Sequence, residues 1–191
     1  MTFDASLSRD YFETLYDGAA DPWSFATSSY EAEKYARSLA ALRPPYARAL
    51  EIGCSIGVFT RELAERCESL LALDISERAL ARARERCADR PQVRFARAAV
   101  PHDFPAATFD LIACCEVGYY WSDADLAATR DRIAGALRPG GDLLLVHWLP
   151  KVDDYVRDGD AVHAAFLDDT RFAPVSAHRA ERYRLDLLVR R

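Results

Sequence analysis

The stretch Glu51-Ile52-Gly53-Cys54-Ser55-Ile56-Gly57 decides the reading of this chain. It closes a short apolar run, Ala47 to Ile52, and leads into Val58 to Cys67, where Phe59, Leu63 and Cys67 recur at helical spacing. A glycine-bearing turn between a strand and a helix leaves room for a ligand to lie against the backbone where strands end. A nicotinamide site wants glycine at the first, third and sixth positions of that turn, but Ser55 and Val58 occupy the last two. What remains is acidic-x-Gly-x-small-x-Gly, which suits a ligand with an amino-acid tail and no phosphate. Glu51, at the strand end, can accept from the ammonium group of such a tail. The next apolar run, Leu70 to Asp74, places a second carboxylate at a strand end, 21 residues after Gly53, where it can take both hydroxyls of an adenosine ribose.

Outward from this loop, strands alternate with helices. Ser29 to Leu42 carries an apolar stripe at Tyr35, Leu39 and Leu42 and stops at Pro44-Pro45. Ser76 is an N-cap for a helix from Glu77 to Cys87, and Val93 to Ala98 and Phe109 to Cys115 are further strands. A helix from Asp123 to Leu137 ends at the turn Arg138 to Gly141, and Asp142 to His147 is a strand apolar enough to be buried on both faces of a parallel sheet. This alternation predicts right-handed βαβ units in a doubly wound α/β sheet. After a helix from Asp160 to Leu167, the runs Phe172 to His178 and Tyr183 to Val189 are close enough to form an antiparallel hairpin on the sheet edge.

Composition bounds the function. With 191 residues, half of them apolar and 29% charged, the chain is a single folded domain that needs no disulfide or metal to hold it together. The 25 basic residues are outnumbered by 30 acidic ones and are scattered, so nucleic acid is not an expected partner. The acidic, mixed start is unlike a secretion signal, and no run of 18 apolar residues suggests a membrane span. Five cysteines without metal-ligand spacing read as buried thiols in a reducing cytoplasm, with no metal site.

In the segments LEIGCSIG, LALDIS, FDLIACCEV and LRPGGDLLLVHW, over roughly residues 47 to 147, the chain resembles the class I S-adenosylmethionine-dependent methyltransferases. Asp21-Pro22-Trp23, Tyr30-Glu31, Val100 to Pro105, Glu116 to Tyr120 and Gly159 to His163 narrow the resemblance to the nodulation protein S branch, which N-methylates the free amine of a deacetylated chitin oligosaccharide. The resemblance implies a Rossmann-like methyltransferase fold of seven mostly parallel strands ending in the hairpin. It divides the single domain into a helical lid (1–46), a cofactor-binding core (47–148) and a C-terminal helix and hairpin (149–191). Cofactor contacts are then expected from Glu51, Gly53, Cys54, Ser55, Gly57, Asp74 and Ile75, and from the strand end Cys115-Glu116. Two departures from the family pattern stand out. Ser55 replaces the middle glycine of the loop, and Ala99 occupies the place of an Asp that holds the adenine amino group. Adenine is therefore expected on backbone groups of Ala98, Ala99 and Val100. By the same likeness Trp23 and Lys34 close over the cofactor, with Lys34 meeting its carboxylate.

The chemistry is expected where neighbouring strands end in Glu116 and His147. An amine acceptor must lose a proton before it can take a methyl group, which points to His147 as base, with Glu116 near the ammonium and Tyr120 and His163 over the same crevice. His102 and His178 read as surface histidines. The leading expectation is N-methylation of an amino sugar or similar small polar amine. O-methylation of a small natural product and a catalytically silent cofactor-binding subunit are the alternatives.

Overall fold

The structure is a computed structural model that describes residues 5–191. Of the acidic, mixed start at residues 1–12, residues 1–4 lie outside the described residues. Helices α1 (Arg9–Gly18), α2 (Ser29–Ala41), α4 (Glu77–Arg86), α5 (Asp123–Ala136) and α6 (Gly159–Leu167) each begin at a side chain that accepts an otherwise unpaired first-turn amide. The caps are Ser8, Ser28, Ser76, Ser122 and Asp158. Helix α3 (Val58–Leu63) is shorter than its apolar spacing predicts, because Ala64–Arg66 tightens into a 3-10 turn.

Strands β1 (Ala49–Ile52), β2 (Leu70–Asp74), β3 (Val93–Arg97), β4 (Phe109–Cys115), β5 (Leu137–Trp148), β6 (Phe172–Arg179) and β7 (Tyr183–Arg190) form one sheet in the order β3-β2-β1-β4-β5-β7-β6. The first five are parallel, and β7 runs antiparallel between β5 and β6. The turn expected at Arg138 to Gly141 is a register shift inside β5, which pairs Leu137 with Phe109 before Asp142 meets Leu111. The C-terminal hairpin thus supplies both an inner strand, β7, and the edge strand β6. Pro174 and exposed Val175 sit on that edge, where a missing amide breaks no inner ladder.

Alternation along the strands feeds two apolar layers. Leu50, Ile52, Ile112, Leu143 and Leu145 pack with Ile133 of α5 and with Val162 and Phe166 of α6. Ala49, Leu111, Leu144, Val146 and Leu185 pack on the opposite face with Tyr35 of α2 and Phe59 and Leu63 of α3. The chain leaves β1 toward β2 and β3 on one side and returns to β4 on the other. A crevice therefore opens beyond the strand ends at β1 and β4. Among the described residues no helix is long and apolar enough to cross a membrane.

Candidate active site

The crevice holds a cavity of about 660 Å³, walled by the strand ends and roofed by α1 and α2. On its β1 side, Glu51 is buried and its Oε2 has no hydrogen-bond partner. Burial, with some repulsion from Asp74, raises its carboxyl to about 7. Gly53 has φ +80°, and a Cβ there would come within 3.0 Å of Val117 Cβ, so this turn tolerates no side chain. Asp74 accepts from the amides of Ser55 (2.8 Å) and Ser76 (2.9 Å), which brings the loop after β1 onto the end of β2. Burial nevertheless lifts its carboxyl to about 6. Each Asp74 oxygen keeps acceptor capacity beyond its one amide.

Cys54, Ser55, Ile75, Ala98, Ala99, Val100, Cys115 and Trp23 also line the cavity. Two expectations on this side need correction. Gly57 does not line it: a Cβ at Gly57 would stand 2.9 Å from Cα and Cβ of Ala83, so its hydrogen serves the packing of the loop on α4. The amide of Ala99 is not free for adenine, since it donates to Asp103 Oδ2 (3.0 Å); its carbonyl accepts from Asp103 N (2.9 Å) and keeps one lone pair.

Across the cavity, Glu116 stands at φ +56° directly after β4. Its Oε2 accepts from Trp148 N (2.8 Å) and Tyr119 Oη (2.7 Å), and its Oε1 accepts from Lys34 Nζ. Lys34 also donates to Glu31 Oε1 at 3.0 Å and is only 2% exposed. Desolvation alone would favour a neutral Lys34, but the two carboxylates reverse this and raise its pKa. Lys34 thus lines the cavity, as expected, with two of its three donors engaged by carboxylates of the chain itself. Glu116 ties the lid helix α2 to the ends of β4 and β5 and is no loose rim carboxylate.

His147 and His163 do not line the cavity. Along β5, residues 143, 145 and 147 share one face, and α6 covers it, so the His147 ring lies under α6 and is fully buried. Its Nε2 accepts from Gly118 N at 3.1 Å, which occupies the lone pair a base would need. Burial, aided by His163 and Lys34, also drops its pKa well below the ordinary range. The expectation of His147 as acceptor base, with His163 over the same crevice, is corrected on these grounds. Tyr120 does line the cavity, edge-on to Phe12 and Tyr119. His102, expected as a plain surface histidine, stands at the mouth with Nε2 3.6 Å from Asp125.

The family model for nodulation protein S matches residues 9–152, three quarters of the chain. The chain belongs to the nodulation protein S family. The nodulation protein S of Rhizobium tropici is 33% identical over 146 residues, 74% of this chain and 61% of that protein. That of Sinorhizobium fredii is 33% identical over 129 residues, 66% of this chain and 60% of that protein. The matches thus span about 60% of the length of these curated relatives. A solved structure from Pseudomonas syringae, assigned as a methyltransferase, is 38% identical, covers 85% of this chain and all of its own, and has a TM-score of 0.76. The N-methyltransferase NodS of Bradyrhizobium japonicum, solved with S-adenosylhomocysteine, shares the fold at a TM-score of 0.83 and 24% identity, covering 95% and 97%. The fold is the one that these two methyltransferase structures share.

For this family member the sequence reading places a helical lid over residues 1–46 but singles out no residue of α1. Tyr11, Phe12, Leu15 and Tyr16 of α1 all face the cavity, and Tyr16 Oη lies 2.5 Å from Ser55 Oγ. Their i, i+1, i+4, i+5 spacing after Ser8 was the available signal. Tyr155 and Asp154, beyond β5, complete the wall and had no periodic signature.

Proposed function

We propose that the chain transfers a methyl group from S-adenosylmethionine to the free amine of a small polar acceptor, an amino sugar or amino-oligosaccharide in particular. The observation that carries the acceptor class is the charge of the cavity. Lys34 and His102 are the basic side chains among its described lining residues, and each faces a carboxylate, Lys34 two of them. Asp125, Asp154 and the rings of Tyr11, Phe12, Tyr119, Tyr120 and Tyr155 make up the other half of the wall. Aromatic faces with carboxylates at the rim suit a cationic or amine-bearing guest and disfavour an anionic one.

The residues present fit the cofactor. The orphaned Oε2 of Glu51 is an acceptor for the ammonium group, the bare Gly53 turn admits the methionine end, and Asp74 has capacity for the ribose hydroxyls. Ile75 and the wall from Ala98 to Val100 offer apolar contact to the base. When bound, the cofactor supplies a methyl group on a sulfonium, which passes to an amine lone pair and leaves a thioether.

The chain's own part is to hold the acceptor in line and keep water out. The buried Tyr119 and Tyr120, with Phe12 from the lid, shape the acceptor end. Glu116 holds lid, turn and β5 together through three donors. With His147 turned away, no imidazole deeper than the mouth takes the acceptor's proton. Transfer then rests on positioning, and its rate rises with pH as the acceptor loses its proton to solvent.

The test is release of S-adenosylhomocysteine with glucosamine oligomers, with their N-acetylated forms and with a catechol. Turnover of the free amines alone supports the proposal. Turnover of the catechol alone makes the chain an O-methyltransferase, and turnover of none makes it a silent cofactor-binding subunit.

A further inference from the structure

Beneath the acceptor half of the cavity, three buried polar side chains interrupt an apolar layer. Leu145 of β5 pairs with Asp186 of β7, and His147 pairs with Arg184, so all four side chains point at α6. His163 of α6 meets them. Its Nδ1 lies 2.6 Å from Asp186 Oδ2 and its Nε2 lies 3.1 Å from His147 Nδ1. His147 Nε2 accepts from Gly118 N, the first residue of the 3-10 turn Gly118–Tyr120.

We propose that Asp186, His163 and His147 form a directional hydrogen-bonded strut that positions the Gly118–Tyr120 turn, and through it the rings that hold the methyl acceptor. As a role in catalysis this rests on the methyltransferase reading above, and as a structural device it does not. None of the three residues touches the cavity; all are positioning residues.

The protons in this chain have one consistent arrangement. Gly118 N can only donate, so His147 Nε2 is bare and His147 carries its proton on Nδ1. That proton goes to His163 Nε2, so His163 carries its own on Nδ1 and gives it to Asp186. Every donor then has an acceptor, and the carboxylate closes the row. Arg184 Nε donates to the same Asp186 oxygen at 2.8 Å and neutralises its charge. Asp160 of α6 faces Arg184 at 3.2 Å, and Lys34 lies beyond the turn. Burial keeps both imidazoles below their usual pKa, which keeps them neutral in this row.

The neighbouring backbone is shaped to admit the strut. A Cβ at Gly118 would stand 2.4 Å from Val162 Cγ1 and 2.9 Å from His147 Nε2. A Cβ at Gly159 would stand 2.4 Å from the Trp148 carbonyl and 3.0 Å from His147 Cβ. Both glycines therefore let the turn and α6 close on the imidazole. The Tyr119 ring lies edge-on to His147 with centroids 5.4 Å apart, so the imidazole sets the turn by its ring as well as by its acceptor. An apolar side chain would fill the layer without the cost of burying three polar groups. What the polar row adds is a fixed direction and height for one backbone amide.

The first test needs no acceptor: ¹⁵N NMR of the histidine side chains in the wild-type protein at pH 7. The proposal expects both His147 and His163 as neutral Nδ1–H tautomers, with or without S-adenosylhomocysteine. An Nε2–H tautomer or an imidazolium at His147 overturns it. The second compares His147→Phe, which keeps a ring and loses the acceptor, with His147→Gln, which can accept from Gly118 and donate to His163. With glucosamine oligomers, His147→Phe should raise the acceptor KM or lower kcat by about 10–100-fold while S-adenosylhomocysteine affinity stays within about threefold. His147→Gln should recover most of the loss. Equal loss in both variants, or loss of cofactor affinity in step with activity, overturns the positioning role. If the wild type turns over no acceptor, the methyltransferase reading fails and the NMR result still decides the strut.

Discussion

Tyr16 and Ser55 meet through their hydroxyl oxygens at 2.5 Å, and this contact joins the lid helix α1 to the middle of the loop after β1. Ser55 stands at φ +51°, in the place where the resemblance anticipates glycine, and its side chain gives the lid something to hold. Tyr16→Phe removes that bond and leaves the ring packing on Trp23. A lost bond of this kind is worth about 0.5–1.5 kcal/mol, so S-adenosylhomocysteine should bind roughly two- to tenfold more weakly by calorimetry. An unchanged affinity would mean that α1 is not part of the cofactor lid.

Glu51 predicts a proton signature. Its folded carboxyl lies near pH 7, above the ordinary 4.5, so the free protein holds a proton there that the unfolded chain has lost. Free-protein stability should accordingly fall as pH rises through the interval from 4.5 to 7. An ammonium group placed on Glu51 favours the carboxylate, so cofactor binding at pH 6 should release up to about one proton. Calorimetry in two buffers of different ionisation enthalpy reads this directly. Glu51→Gln should reduce the buffer dependence to the smaller part that Asp74, lifted to about 6, contributes, and an equal release in wild type and Glu51→Gln would remove Glu51 from the ammonium site.

The strand ends were legible because each lies where an apolar run meets a charged residue. Leu70–Asp74 and Phe109–Cys115 fall on the residues predicted, and Ser76 caps α4 as read. His147 was misplaced because its position along β5 was used and its parity was not. Residues 143, 145 and 147 share a face, and only the arrival of α6 in the folded sheet turns that face into buried interior. The partners of Lys34 were illegible for a related reason, since they lie 3 and 82 residues away and only the first falls within a helical pattern. Of the loop glycines, the pattern marks Gly53 and Gly57 alike. Only Ala83, on α4, tells a ligand cradle from a packing contact.

Gly57→Val should therefore act on folding and spare recognition. A Cβ there meets Ala83 backbone at 2.9 Å, and φ +78° strains a branched residue. Overpacking costs about 1–3 kcal/mol and the left-handed backbone about 1–2 kcal/mol, which should lower the thermal midpoint by several degrees. Gly57→Ala should show a smaller drop. Folded Gly57→Val that has lost cofactor affinity at undiminished stability would return Gly57 to the binding surface.

The central claim is that the crevice between β1 and β4 binds S-adenosylmethionine with Asp74 on its ribose, and titration of S-adenosylhomocysteine into wild type and Asp74→Ala tests it most directly. The account predicts one site per chain in the wild type and, in Asp74→Ala shown by circular dichroism to be folded, an affinity lower by about 1.5–3 kcal/mol, roughly 10- to 150-fold. Equal affinity in the two proteins, or no binding to the wild type, would contradict it.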